Sequence, residues 1–376
     1  MTHQDSWTTR LTEYSANVLP WAPGHQLKGI TTFGRAIIEK QSGNQAELAR
    51  GLGNQEAAVK RLARLLHNER LAPHRLADAV LAQALGQLPP KGKVRLALDW
   101  TIEGTQHLLV VSLVTGGRAV PSYWRAYDAT VLKGRMRRYE MAVIRRVLTR
   151  VQGVIGCRRL ILTADRGFAD VALVDVLTEL GVAFIIRVKG STKVCFPGQW
   201  RNLHTLPLVG NTRQRHLGPL AYGESAPHRL WVTMSRTRDA KGQWECRYLI
   251  SNRARRATAT AAEYARRFGC AQGFRDAKGE LGFAQARIKA INAWSRLVAL
   301  FALALLVVVS LGVKLLVRGG PGAVALLRRV ASRRQGRWDL SLVSAMIELL
   351  QDDESLFAYL SASIKLDLEA RLVYVS

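Results

Sequence analysis

Two aspartates stand where apolar strands rarely carry a charge. Asp99 lies inside "VRLALDWTI" (94–102), and Asp165 closes "RRLILTAD" (158–165), directly before Arg166-Gly167-Phe168. A carboxylate in such a strand calls for a partner or a metal ion. The ends of strands in an open α/β sheet are also where ligands collect. If the two strands run parallel and adjacent, the carboxylates become neighbours. Neighbouring carboxylates repel unless a divalent cation bridges them, and oxygen-only ligation suits Mg²⁺ or Mn²⁺. Singly, each has an ordinary alternative: Asp99 bonded to a backbone amide, Asp165 capping the turn before the next helix.

A third group sits in "YARRFGCAQGFRDAKGELGF" (264–283). On a continuous helix of about 100° per residue, Tyr264, Arg267, Ala271, Phe274 and Lys278 share one face, within about a quarter turn. Two cations and a phenol suit phosphate, where Arg bonds bidentately and Lys acts as a point charge. The centre of that face, Ala271, has no polar group. No neighbour replaces one: Glu263 belongs to another face, and Asp276 and Glu280 lie about 140° and about 180° from position 271.

The elements that must position these groups follow from pattern and composition. The 376 residues are 48% hydrophobic, which makes a globular chain with room for several structural units. Lys and Arg number 55 against 28 Asp and Glu, a formal charge of +27. An excess of that size repels itself unless a polyanion neutralises it, so nucleic acid is the first partner and an anionic membrane surface the second. The four cysteines form no Cys-x-x-Cys pair, which argues against a zinc site or a disulfide framework and fits a reducing cytoplasm. The first thirty residues include Asp5 and Glu13 and no uninterrupted apolar run, unlike a secretory signal. One uncharged run, "LVALFALALLVVVSLGV" (297–313), is short for a membrane span and reads as a helix buried on all sides.

Residues 1–90 read as a helical, DNA-binding region. Within it, "QAELARGLGNQEAAVKRLARLL" (45–66) breaks at Gly53-Asn54 into two amphipathic pieces. The second turns Lys60, Arg61 and Arg64 outward and Leu62, Leu65 and Leu66 inward. It is either the recognition helix of a helix-turn-helix or an ordinary hairpin with a solvated basic face. After "LPPKGK" (88–93), the order β-β-β-α-β-α-β fills 91–190. A β-rich insertion follows over 191–254. Helix returns over 255–318, and 319–376 is a helical tail and a candidate dimer surface.

That strand order, with Asp99 on the first strand and Asp165 ending the fourth, resembles the ribonuclease-H-like fold, an α/β mixed sheet flanked by helices. "LALDWT", "LTADRGF" and "FIIRVKG" resemble blocks of the DDE insertion-sequence transposases. The 264–283 stretch resembles the signature Y-x2-R-x3-E-x6-K of one branch, with Tyr264, Arg267 and Lys278 matching and Ala271 in place of Glu. The resemblance covers residues 90 to 320.

The resemblance implies a catalytic set of Asp99, Asp165 and a glutamate at position 271. It also implies two Mg²⁺ or Mn²⁺ ions in an intact site, and Tyr264, Arg267 and Lys278 holding DNA near the cut. Lys60, Arg61 and Arg64 would add DNA contacts, and an insertion tryptophan (Trp200, Trp231 or Trp244) would stack on a base unless it belongs to the insertion's own core. The activity implied is cleavage at terminal inverted repeats and strand transfer into target DNA, by way of hairpin ends in many relatives. It would be performed by a homodimer on paired ends, in a bacterial cytoplasm, at the nucleoid and without a membrane. Ala271 predicts DNA binding with impaired cleavage. It arises by deliberate substitution, by decay of the gene, or in a naturally non-catalytic relative. The competing readings are a transposase-derived DNA-binding protein and a metal-dependent nuclease without strand transfer.

Overall fold

The computed structural model describes residues 3–115, 118–206, 213–225, 227–238, 242–318, 320–330, 333–334, 337–338 and 341–352. Five helices come first: α1 (His3–Val18), α2 (Gly24–Lys40), α3 (Gln45–Ala49), α4 (Gln55–Leu66) and α5 (Pro73–Gly86). Strands β1 (Val94–Glu103), β2 (Gln106–Thr115) and β3 (Arg118–Asp128) precede α6 (Ala129–Leu132) and α7 (Met136–Ile155). Then come β4 (Leu160–Ala164), α8 (Val171–Glu179), β5 (Ala183–Val188), β6 (Lys193–Cys195), β7 (Trp200–Asn202), β8 (Gln214–Tyr222), β9 (His228–Arg238) and β10 (Trp244–Ser251). The chain continues through α9 (Ala257–Ala265), α10 (Phe268–Arg275), α11 (Ile291–Arg318), α12 (Gly320–Val330) and α13 (Leu342–Asp352). It is a mixed α/β chain with helical N- and C-terminal regions, as the ribonuclease-H-like reading expects. The part of the C-terminal tail beyond 352 lies outside the described residues.

Two compact units are present, and β1 contributes to both. The sheet unit comprises Lys93–Asp99 and Gly134–Phe268. Its strands run in the order β1-β4-β5-β10-β9-β8-β6-β7. The pairs β1–β4 and β4–β5 are parallel, while β5–β10, β10–β9 and β9–β8 are antiparallel. The parallel strands are apolar almost throughout, as strands covered on both faces are: every residue of β4 is buried. The β-rich stretch 191–254 makes no sheet of its own, because β10 pairs directly with β5 and continues the same ladder.

The helical unit comprises Met1–Gly92, Trp100–Lys133 and Gly269–Ser376. Here β2 and β3 pair antiparallel, beside the end of β1. Helix α11 is long and apolar enough to cross a membrane, yet its most apolar window is wholly buried among protein. It packs against α2, α4, α5, α12, α13 and β3. Length alone left two readings open, and this packing supports the buried one. The turn before α4 falls where Gly53-Asn54 interrupts the pattern, and the Asn54 side chain caps the helix by accepting from Ala57 N at 3.0 Å.

Candidate active site at the strand ends

Strands β1 and β4 pair in register with Leu98 opposite Ala164. Asp99 is the next residue on β1 and Asp165 the first residue beyond β4, so the parallel ladder brings both aspartates to the same end of the two paired strands. The condition on which the sequence argument rested, adjacency of the first and fourth strands, is met. Asp165 is held by the turn it opens: its Oδ1 accepts from Arg166 N at 2.8 Å, and its carbonyl accepts from Phe168 N at 2.9 Å. Buried Phe168 pins that turn to the core.

Helix α9 and the turn that follows it bring two further groups to the carboxylates. The Tyr264 hydroxyl donates to Asp165 Oδ1 at 3.4 Å. Arg267 places Nη2 3.4 Å from Asp99 Oδ1 and donates to the Leu98 carbonyl. Burial lifts the Tyr264 phenol to about 12, against the pull of Arg267 and with a further push from Asp165. It therefore stays protonated near neutral pH and acts as a donor. The guanidinium of Arg267 supplies positive charge beside Asp99.

Two residues that the sequence argument did not connect hold α9 in place. Glu263 is 5% exposed and forms a bidentate pair with Arg95, four residues before Asp99 on β1. Arg266 at 3.0 Å and Arg255 at 3.8 Å complete the cluster. Burial alone would raise the Glu263 carboxyl, but Arg95, Arg266 and Arg255 hold it below its ordinary value. Glu263 is thus not a spare metal ligand. It is the ion that ties the Tyr264 helix to the Asp99 strand. The partners are 168 residues apart, and nothing local in sequence signals the pair.

The single helix expected over 264–278 is not formed. Helix α9 ends at Ala265, a tight turn with Arg267 N bonded to the Tyr264 carbonyl at 2.9 Å follows, and α10 begins at Phe268. A π-turn over Asp276–Glu280 then adds a residue per turn, with Leu281 N bonded to the Asp276 carbonyl at 2.9 Å. The continuous helix on which a common face was expected is therefore interrupted. Glycines at 269, 273 and 279 lower helix propensity, and burial of Ala277 and Leu281 rewards the wider turn.

Position 271 lies on α10, in the helical unit. The glycine two residues later lets α10 approach β3: a Cβ on Gly273 would come within 2.2 Å of the Ala119 carbonyl oxygen. Lys278, on the π-turn, forms an ion pair with Glu103 of β1. Lys60, Arg61 and Arg64 are exposed on α4, where Lys60 pairs with Glu56 at 2.5 Å and Arg61 donates to the Leu52 carbonyl at 3.2 Å. Of the insertion tryptophans, Trp231 stacks on His216 with centroids 5.0 Å apart. Trp200 and Trp244 are exposed, and the Arg238 guanidinium lies 5.2 Å from the Trp244 ring centroid.

Two carboxylates on adjacent parallel strands suit a hard divalent cation. Among the described residues no group of three or more His, Cys, Asp and Glu is placed to hold one.

Residues 131–307 match the family model described as transposase DDE domain. The DDE match contains Asp165 and the whole 264–278 segment, and it begins after Asp99. DDE transposases generally use divalent metal ions, in line with the chemistry of the two aspartates. No curated protein matches the chain.

Proposed function

We propose that this protein is a DNA transposase of an insertion sequence, of the branch with the Tyr-Arg-Glu-Lys signature. It binds terminal inverted repeats and directs strand cleavage and transfer into target DNA. The observation that carries the reading is the β1–β4 register, which sets Asp99 beside Asp165 under Tyr264 and Arg267, in a chain with a DDE match.

Asp99 and Asp165 would hold Mg²⁺ or Mn²⁺, which when bound activates the attacking hydroxyl and stabilises the leaving 3′-oxygen during in-line displacement. Arg267 is placed to move between Asp99 and a DNA phosphate, and Tyr264 orients Asp165 as a hydrogen-bond donor. Lys278 supplies a further phosphate contact, and Lys60, Arg61 and Arg64 engage DNA from the N-terminal helices. The domain plan follows: residues 1–90 for DNA binding, 91–190 and 255–318 for the catalytic core, 191–254 as its insertion, and 319–376 for assembly of a homodimer on paired ends. Hairpin ends and a bacterial cytoplasmic, nucleoid-associated location belong to the same reading.

With alanine at 271 the third carboxylate is missing, so DNA binding persists while cleavage is strongly impaired. The test is binding and Mg²⁺-dependent cleavage of the element's own terminal repeat, by this chain and by Ala271→Glu in parallel. Binding by both with cleavage only by the variant is the expected result. Equal cleavage by both overturns the assigned role of position 271. Ala271 itself favours a second reading, a transposase-derived DNA-binding protein with a silent site. Binding by both and cleavage by neither is its signature. Cleavage without joining of labelled ends to a target points instead to a nuclease.

A further inference from the structure

Helix α7 starts at the candidate site and leaves it. In its first turn, Arg137 donates to the Gly167 carbonyl at 2.8 Å and pairs with Asp170 at 3.1 Å, both in the segment that follows Asp165. From there the helix runs for 20 residues to the opposite end of β4, about 30 Å. Its inner face is apolar, with Val143, Ile144, Val147, Leu148 and Val151 buried, and the one carboxylate on the helix, Glu140, is buried and paired with Arg137 at 2.6 Å.

The outer face carries Arg138, Arg145, Arg146 and Arg150, all exposed, with exposed Arg158 just beyond the helix. Around the axis these side chains form two rows. Arg138 and Arg145 lie about 20° apart, Arg146 and Arg150 about 40° apart, and roughly 100° separates the rows. Ala142, Thr149 and Gly153, small and exposed, stand between them. Arg145 is bridged to Glu179 of α8, at 2.5 and 2.8 Å. The stretch from Arg138 to Arg150 is about 18 Å long, which spans about five phosphates of one DNA strand. A helix lying on a bilayer needs an outward apolar face. Here that face is buried against the sheet unit's core, so the geometry favours a polyanionic strand over a membrane.

We propose that the outer face of α7 is a DNA-backbone track, which holds the duplex flanking the strand-end site. The proposal rests on the reading of that site as the place of cleavage, but it makes its own demand on binding. The experiment uses full-length protein and a 30-base-pair mixed-sequence duplex, with affinity followed by fluorescence anisotropy over a salt series. Two triple variants accompany it: Arg138→Gln/Arg146→Gln/Arg150→Gln and the same positions changed to Lys. Glutamine keeps helix propensity and removes charge.

The glutamine triple should lose about 2.7 from the slope of log affinity against log salt, at about 0.9 per phosphate contact. At about 0.15 M salt it should bind about 10- to 100-fold more weakly, while the lysine triple keeps most of both. Circular dichroism of the variants establishes that they fold. An unchanged slope in the folded glutamine triple overturns the proposal, as does an equal loss in the lysine triple. So does loss of binding to anionic vesicles with DNA binding intact. The site reading is judged separately, by cleavage with Ala271→Glu: a lost slope without any cleavage leaves the track standing and the site reading fallen, and cleavage with an intact slope does the reverse.

Discussion

Helix α11 runs unbroken for 28 residues, whereas residues 257–280 are divided among α9, a tight turn, α10 and a π-turn. Both stretches have helical periodicity. In α11 nearly every side chain from Leu297 to Leu315 is buried, so continuity of the helix maximises the apolar surface removed from water. In 257–280 the directional contacts are ionic and reach residues distant in the chain. Glu263 serves three arginines, Arg267 meets Asp99, and Lys278 meets Glu103. Apolar burial is non-directional and tolerates one long regular element. Charge-assisted bonds are directional, and the backbone breaks to satisfy them.

The sharpest way to break this comparison is to remove the ion at the centre of the polar segment. Glu263→Ala leaves Arg95 and Arg255, both mostly buried, without their counter-ion and should cost about 3–5 kcal/mol, measured by urea denaturation. A loss below about 1 kcal/mol would show that the cluster behaves as a surface pair and does not anchor α9.

The corresponding test on α11 is Arg296, a buried cation near its start. Arg296 donates to the Leu71 carbonyl at 2.7 Å and the Leu66 carbonyl at 2.8 Å, closing the end of α4 against α11. Arg296→Met keeps the bulk and orphans both acceptors, for an expected loss of about 1–3 kcal/mol. Thermal unfolding would resolve it.

Acid should separate the two regions. Because the Glu263 carboxyl lies below its ordinary value in the folded chain, the unfolded chain binds more protons as pH falls through about 4.3. The contribution of Glu263 is complete above that pH and declines below it. The stability gap between the unmodified chain and Glu263→Gln should therefore narrow as pH drops from 7 toward 3, whereas the gap to Arg296→Met should hold steady. Parallel narrowing of both would contradict the contrast.

The smallest effect is expected at Ser310, fully buried within α11, whose hydroxyl has no partner among the described residues. Ser310→Ala should be neutral or stabilise by up to about 1 kcal/mol in the same denaturation experiment. A clear loss would mean that α11 relies on polar contacts after all.

Much of the sheet was legible in the sequence because its signals are local. Apolar runs at 94–102, 158–165 and 182–190 lie on β1, β4 and β5, and a charge inside such a run singled out Asp99. The break at 266–267 was not legible, because the periodicity continues across it and the reason to stop is an ion pair to another strand. The anchoring of α9 escaped notice for the same reason: Arg95 and Glu263 are far apart in the chain, and each alone is an ordinary charged residue. The close approach of α10 to β3 depends on Gly273, whose lack of a side chain has meaning only once Ala119 is beside it.

By itself the sequence determined the order of the main elements, the uncharged apolar character of 297–313, the excess positive charge and the presence of two carboxylates at or next to strand positions, since each depends on residue type and short-range spacing. Tertiary structure alone decided that β1 and β4 are parallel neighbours, that Glu263 is a tether, and that the helix carrying Tyr264 stops at Ala265. Those outcomes depend on strand register and on ion pairs between distant residues, whose energies exist only after the chain has closed the loops between them.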